Sequence, residues 1–221
     1  MAQYLIHAVP QRMWYVNGYL IPSMLKQGIS EADIMVYCDK KHEGNLRACL
    51  NAFLSVPDDD KGTWHLQDDV CICKDFKERT EWFDNGLVCG FSSLKYDGDI
   101  QSRKGAVKRE DMWFSFPCIR IPNQWAREEA VWVDRYIIGN PVYQKFWENG
   151  VNDDWAFRTY LSQFHKDCVA LNIMPCLVDH IDYLLGGGTG KIQRTHPVRA
   201  QYWDSPELIE ELEASINGRT R

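Results

Sequence analysis

The sequence predicts an α/β protein: a single Rossmann-like domain with a mainly parallel central sheet flanked by helices. Three observations carry that prediction. Short β-rich runs alternate with segments of helical periodicity through the first half of the chain. Acidic and imidazole side chains fall just beyond the ends of those runs, where ligands of open α/β sheets bind. Neither an internal repeat nor a Pro/Ser-rich linker interrupts the 221 residues, a length that one domain can fill.

Tyr4–Val9 is the first strand, stopped by Pro10. A helical stretch follows from about residue 11 to residue 26; Gly28 closes it and Pro22 predicts a break inside it. Asp33–Cys38 is the second strand. Leu46, Cys49, Leu50, Phe53 and Leu54 then fall at i, i+3, i+4, i+7 and i+8, which places them on one helix face. A turn around Pro57–Asp60 leads to the third strand, Thr63–Leu66, and to the adjacent acids Asp68 and Asp69. Phe76, Thr80 and Phe83 fit another helix, Asn85-Gly86 a turn, and Leu87–Phe91 a fourth strand. Helices between strands predict parallel pairing through right-handed crossovers.

The second half is less regular. Ser92–Asp111 is polar and is expected to be a mobile loop carrying Arg103, Lys104, Lys108 and Arg109. An aromatic strand is predicted at Met112–Ile121, and helices at Asn123–Ile138 and Pro141–Glu148. Asn152 is a suitable N-cap for a helix reaching Lys166. Leu171–Val178 is a further strand, followed by Asp179 and His180, and then by the glycine-rich Gly186–Gly190. Ser205-Pro206 starts a last helix ending near Asn217.

Composition narrows the function classes. With 45% hydrophobic, 13% aromatic and 25% charged residues, the chain is neither disordered, collagen-like nor a disulfide-stapled miniprotein. The formal net charge of -6 gives no bulk positive field for nucleic acid or anionic lipid, so any such contact needs a local patch. The longest apolar run, Ile173–Val178, is broken by Pro175 and is far short of the roughly 20 residues a bilayer requires. Met1–Pro10 lacks the features of a signal peptide. The eight cysteines contain no C-x-x-C pair, and Cys38, Cys89 and Cys176 lie in apolar runs. They are expected to be reduced and buried, in a cytoplasmic protein.

Two carboxylates as close as Asp68 and Asp69 repel unless a cation or a basic group lies between them. A divalent ion bridging to phosphate oxygens satisfies that need; a solvated turn capping the next helix is the simpler alternative. His180 follows an apolar strand, so its imidazole should emerge at a strand end as a metal ligand or as a hydrogen-bonded structural group. Gly186–Lys191 is not a Walker A loop, because Leu185 and Ile192 occupy the positions of the first Gly and the Ser/Thr. It still suits a loop that brings Lys191, Arg194, His196 and Arg199 over a diphosphate, or a plain basic surface loop. Asp153 and Asp154 complement a helix N-terminus, or serve as a general base toward an acceptor hydroxyl.

Taken in order, these residues resemble the GT-A-fold nucleotide-sugar glycosyltransferases, especially small bacteriophage and bacterial members, over about Tyr4 to Trp203. Ala8-Val9-Pro10-Gln11-Arg12 looks like the family's first nucleotide-contacting turn. Leu66-Gln67-Asp68-Asp69-Val70 looks like its acidic metal motif, although Gln67 stands where a strict D-x-D has its first acid. Asn152-Asp153-Asp154 is similar to its acidic pair near the acceptor, and Pro175-Cys176-Leu177-Val178-Asp179-His180 to its late strand ending in a metal-binding His.

The resemblance implies a metal-dependent glycosyltransferase that moves a sugar from a nucleotide diphosphate-sugar, such as a UDP-sugar, to a hydroxyl acceptor. Residues 1–91 would form the donor half, and residues 112–203 the acceptor half and closing loop. Asp69 and His180 would hold Mn²⁺ or Mg²⁺. Pro10, Arg12, Asp68 (toward the ribose), Lys191, Arg194 and His196 would contact the donor. Asp153 or Asp154, with Asp154 preferred, would be the base. Related phage-type enzymes glycosylate hydroxymethylated DNA bases, which makes DNA one expected acceptor through Arg103, Lys104, Lys108 and Arg109 beside Met112, Trp113 and Phe114. A glycan, a lipid-linked sugar or a protein is the alternative acceptor. A nucleotidyltransferase and a non-catalytic binding module are the competing classes.

Overall fold

The computed structural model describes residues 3–92, 105–109, 116–143, 153–185, 200 and 203–219, the segment 105–109 through its backbone. Nine strands occur among them: β1 (Gln3–Ala8), β2 (Ile34–Cys38), β3 (Gly62–Gln67), β4 (Val70–Ile72), β5 (Val88–Cys89), β6 (Gly105–Arg109), β7 (Cys118–Pro122), β8 (Ala170–Met174) and β9 (Val178–His180). Seven of them form one sheet in the order β2-β1-β3-β7-β5-β8-β6, and β4 pairs with β9 in a second, two-stranded sheet. β1 is parallel to β2 and β3, and β5 is parallel to β8. β7 runs against both β3 and β5, and β6 runs against β8, so five of the seven strands share one direction. The sheet is mainly parallel, as the alternation of strands and helices predicts.

The helices are α1 (Met13–Tyr15), α2 (Ile21–Lys26), α3 (Asn45–Ser55), α4 (Phe76–Glu81), α5 (Asn123–Tyr136), α6 (Asp153–Phe164) and α7 (Pro206–Arg219). Strand alternation sends β1 side chains to two cores. Tyr4, Ile6 and Ala8 pack with Tyr15, Leu20, Met24, Phe76, Val178 and Leu212. Leu5 packs on the other face with Phe53 of α3, Val133 of α5 and Phe157 of α6. The five-residue apolar face read from α3 is mostly realised: Leu46, Cys49, Leu50 and Phe53 are buried, while Leu54 is 43% exposed.

Several expectations need correction. The stretch expected as a loop at Ser92–Asp111 contains β6, an edge strand whose Lys108 and Arg109 stand opposite Leu171 and Ala170. Its alternation is masked by Gly105 and flanking charges, and its pairing partner lies more than 60 residues away. The single strand expected at Leu171–Val178 is two, β8 and β9, divided at the cis Met174-Pro175 bond. The break ascribed to Pro22 lies just before it: the helix widens into a π turn at Val16–Leu20, and Pro22 lies in the first turn of the next helical segment, which begins at Ile21. A residue without an N–H fits a first turn, where no intrahelical partner is required. Cys38 is half-buried rather than buried, whereas Cys89 and Cys176 are buried as expected. The expected helix at Pro141–Glu148 is a turn through Tyr143 and lies outside the described residues beyond it.

Two contacts fix β9 against the main sheet. Gly90 donates its N–H to the Cys118 carbonyl at 2.8 Å and accepts from the Leu177 N–H at 2.7 Å. A Cβ at Gly90 would lie 2.7 Å from Cys118 Sγ and 2.9 Å from Leu177 Cδ1, so the close approach of these segments requires glycine. Arg79, only 4% exposed, reaches from α4 to the Pro175 carbonyl, and its Nη1 lies 3.5 Å from Asp75 and 3.8 Å from Asp204. Among the described residues, no helix is long and apolar enough to cross a membrane.

Candidate functional site

The site is built where β1 and β3 end side by side. β1 gives way at Val9 to the 3-10 turn Pro10–Arg12, and β3 gives way to the turn Asp68-Asp69. The chain then enters β4, which leaves the main sheet and pairs antiparallel with β9, setting Val70 opposite His180. The Ile181 N–H donates to the Asp69 carbonyl at 2.8 Å, which locks the two segments in register. Residues 69 and 180, more than 100 positions apart, therefore meet, with His180 Nε2 3.2 Å from Asp69 Oδ1. The metal-ligand pair expected from the sequence is a spatial pair.

Arg12 fills the space between the acids. Its Nη1 donates to Asp68 Oδ1 at 2.8 Å and also to Asp69 Oδ2. Asp68 Oδ2 accepts from the Val9 N–H at 2.8 Å. Both oxygens of Asp68 thus hold the β1 turn in place. All three side chains are nearly buried: Arg12 is 8% exposed, Asp68 4% and Asp69 6%. Burial alone would raise the Asp69 carboxyl, but His180 and Arg12 outweigh it and hold it at about 2. At Asp68, burial and the neighbouring charge of Asp69 prevail over Arg12, and the carboxyl is raised. Burial disfavours the Arg12 cation, yet the two carboxylates override it and raise its pKa.

Sequence reading missed three supporting groups. Asp182 Oδ1 lies 3.4 Å from His180 Nδ1, on the far side of the ring from Asp69. A carboxylate beside the second imidazole nitrogen orients the ring and sets its tautomer. Its signal is the spacing His180-Ile181-Asp182 after a strand end. Asp179, 1% exposed, accepts from the His180 and Ala200 N–H groups at 2.9 and 2.7 Å, tying residue 200 to the site. Tyr15 donates its hydroxyl to the Val70 carbonyl at 2.7 Å and braces β4 from behind.

Whether a divalent cation fits can be judged from the donors. Asp69 Oδ1 is buried and has no well-aligned hydrogen-bond donor, while an imidazole nitrogen lies beside it. A carboxylate oxygen and an imidazole suit Mn²⁺-like ions. Among the described residues, no group of three or more His, Cys, Asp or Glu side chains gathers to hold a metal. Asp69 and His180 are the two groups here that could hold such an ion, which water and substrate phosphates would complete.

Asp153 and Asp154 occupy the first turn of α6, where Asp153 Oδ1 accepts from the Asp154 N–H and Asp154 Oδ1 from the Trp155 N–H. The helix-terminus role expected for them is realised. Burial, then the charge of Asp154, raises the Asp153 carboxyl to about 7. Asp153 also acts electrostatically on buried Glu129 of α5 and Cys49 of α3. No hydrogen bond or ion pair among the described residues joins Asp153 or Asp154 to Asp69 or His180. Asn152, Arg103, Lys104, Met112, Trp113, Phe114, Gly186–Gly190, Lys191, Arg194, His196 and Arg199 lie outside the described residues, and the side chains of Lys108 and Arg109 likewise. A separate cleft of about 830 Å³ adjoins the back of β4, between Tyr15, Lys26, Lys77 and Glu211; Asp68 and Asp69 do not line it.

The raised Asp153 carboxyl has a consequence for stability. Its folded-state value near 7 lies above the ordinary 3.8, so the folded protein binds the extra proton and loses stability as pH rises from about 4 to 7. Asp153→Asn removes that loss. The variant's stability relative to the parent is expected to grow by roughly 4 kcal/mol across this range and then level off. Paired urea titrations at pH 4.5, 6 and 8 measure it; a difference independent of pH would contradict it.

The chain is thus an α/β protein with a mainly parallel sheet and a buried acid–arginine–histidine cluster at the strand ends. No protein-family model matches it, and no curated protein matches it. Among solved structures, the crystal structure of HddC from Yersinia pseudotuberculosis matches with a TM-score of 0.31 and 10% identity, over 58% of this chain and 80% of that one.

Proposed function

We propose that the chain transfers a sugar from a nucleotide diphosphate-sugar to a hydroxyl acceptor. The convergence of Asp69 and His180 beside the Val9–Arg12 turn carries this reading. It places an ionised carboxylate, an imidazole and a guanidinium within one site at the ends of parallel strands, the position where such sheets bind nucleotides.

The chain's own groups have distinct tasks. The Val9–Arg12 turn, clamped by Asp68, lies beside the place for the donor diphosphate, and Arg12 brings permanent positive charge to it. Asp69 and His180 would hold Mn²⁺ or Mg²⁺; when bound, the ion stabilises the charge that develops on the departing diphosphate. Asp182, 3.4 Å from Nδ1, would accept a hydrogen bond from that nitrogen and leave Nε2 as the ligand atom facing Asp69. Of the two acids on α6, Asp153 suits proton removal from the acceptor better, because a carboxyl near 7 accepts a proton readily and about half of it is ionised at neutral pH. This reverses the preference for Asp154 drawn from the sequence. Lys191, Arg194 and His196 remain candidates for closing over the donor.

The acceptor in this reading is a hydroxyl compound: a glycan, a lipid-linked sugar, a protein, or DNA reached through Arg103, Lys104, Lys108 and Arg109.

A panel of UDP-, GDP- and CDP-sugars incubated with Mn²⁺ tests the reading by release of free nucleoside diphosphate. One donor is expected to be turned over well above the others. A protein that releases no nucleotide from any donor, or that releases pyrophosphate from nucleoside triphosphates instead, would overturn it.

A further inference from the structure

We propose that Arg12 is a resident counter-ion that keeps bare divalent cations off Asp69 and makes their binding depend on an anionic diphosphate. The proposal rests on the sugar-transfer reading above and adds to it an order of assembly. Four carboxylate oxygens meet at the acidic pair. Protein donors engage three of them: Arg12 holds Asp68 Oδ1 and Asp69 Oδ2, and the Val9 N–H holds Asp68 Oδ2. The fourth, Asp69 Oδ1, faces His180 Nε2. The triad of two carboxylates and one guanidinium carries a single net negative charge, nearly shut off from water.

A bare dication entering beside His180 is attracted by that one charge but lies within a few ångströms of the guanidinium that cancels the other. In a buried site such repulsion is poorly screened. A dication that arrives with a nucleoside diphosphate belongs to a complex of net negative charge, which Arg12 attracts. The same side chain therefore opposes the ion alone and favours the ion with its ligand, which is a positive coupling between the two. Arg12 acts here through charge and through its hold on Asp69, as a positioning residue.

Binding of Mn²⁺ alone, followed by the electron paramagnetic resonance signal of the free ion, tests this without any turnover. Arg12→Gln is expected to bind bare Mn²⁺ at least tenfold more tightly than the parent, and Arg12→Lys, which keeps the charge, close to the parent value. With inorganic pyrophosphate present, Mn²⁺ carried by the protein is counted by equilibrium dialysis against the same Mn²⁺–pyrophosphate mixture; the parent is expected to retain more Mn²⁺ than it does without pyrophosphate, and Arg12→Gln to change little. Asp68→Asn moves the charge the other way and is expected to weaken bare Mn²⁺ binding several-fold; it decides the matter if Arg12→Gln does not fold. Unchanged binding in Arg12→Gln, or in Asp68→Asn where that variant decides, overturns the proposal and leaves the sugar-transfer reading standing, provided that Asp69→Asn abolishes Mn²⁺ binding. Absence of Mn²⁺ binding in both the parent and Arg12→Gln overturns the cation site itself, and this proposal with it.

Discussion

Asp69→Asn is expected to reduce release of nucleotide from the sugar donor by roughly 10³-fold while leaving the protein folded. The substitution keeps the shape of the side chain and removes the charge. Asp69 is the acid held ionised at about 2, and its Oδ1 is the carboxylate oxygen presented to His180. Asp68 still pairs with Arg12 and with the Val9 N–H, so the β1 turn keeps its clamp. His180→Ala is expected to cost roughly 10²-fold by the same route, since it removes the neighbouring imidazole without touching the acids. Nucleotide release and circular dichroism, measured on the same samples, check both. Full activity in either variant would remove that residue from the site; loss of the folded spectrum would instead assign it a structural role.

Arg79→Met is expected to lower global stability by about 3 kcal/mol. Its guanidinium is buried and bonded to the Pro175 carbonyl, and it faces Asp75 and Asp204. Methionine fills much of the volume but leaves that carbonyl without its donor and the acids without their cation. The contacts join α4, the segment before β9 and the start of α7, so their loss loosens the segment that presents His180. Equilibrium urea unfolding measures the effect. A change under about 0.5 kcal/mol, the scale of an ordinary surface substitution, would show that Arg79 contributes little.

Sequence alone revealed the fold class because its signals are local. Period-3.6 burial in α3 and apolar runs at β1, β3 and β8 are each contained within a dozen residues. The approach of residues 69 and 180 was expected from strand ends that converge on one side of a parallel sheet, whereas the antiparallel β4–β9 pair is what brings them together. β4 and β9 were not separable as a sheet of their own, because three residues each are too few to show alternation. Arg12 was read as a ligand contact, and its bond to the acidic pair 56 positions away leaves no local trace. Asp153 and Asp154 satisfied two readings at once, since a helix first turn favours acids whether or not they do chemistry. Burial raises both carboxyls, and at Asp153, with the charge of Asp154 added, it lifts the value to about 7.

Diffraction from a crystal soaked with Mn²⁺ and a nucleoside diphosphate, recorded at the manganese absorption edge, tests the central claim most directly. The expected result is one anomalous peak in direct contact with Asp69 Oδ1 and His180 Nε2, with the diphosphate lying along the Val9–Arg12 turn. An ion bound away from both side chains, or a diphosphate seated on another face of the sheet, would contradict the account.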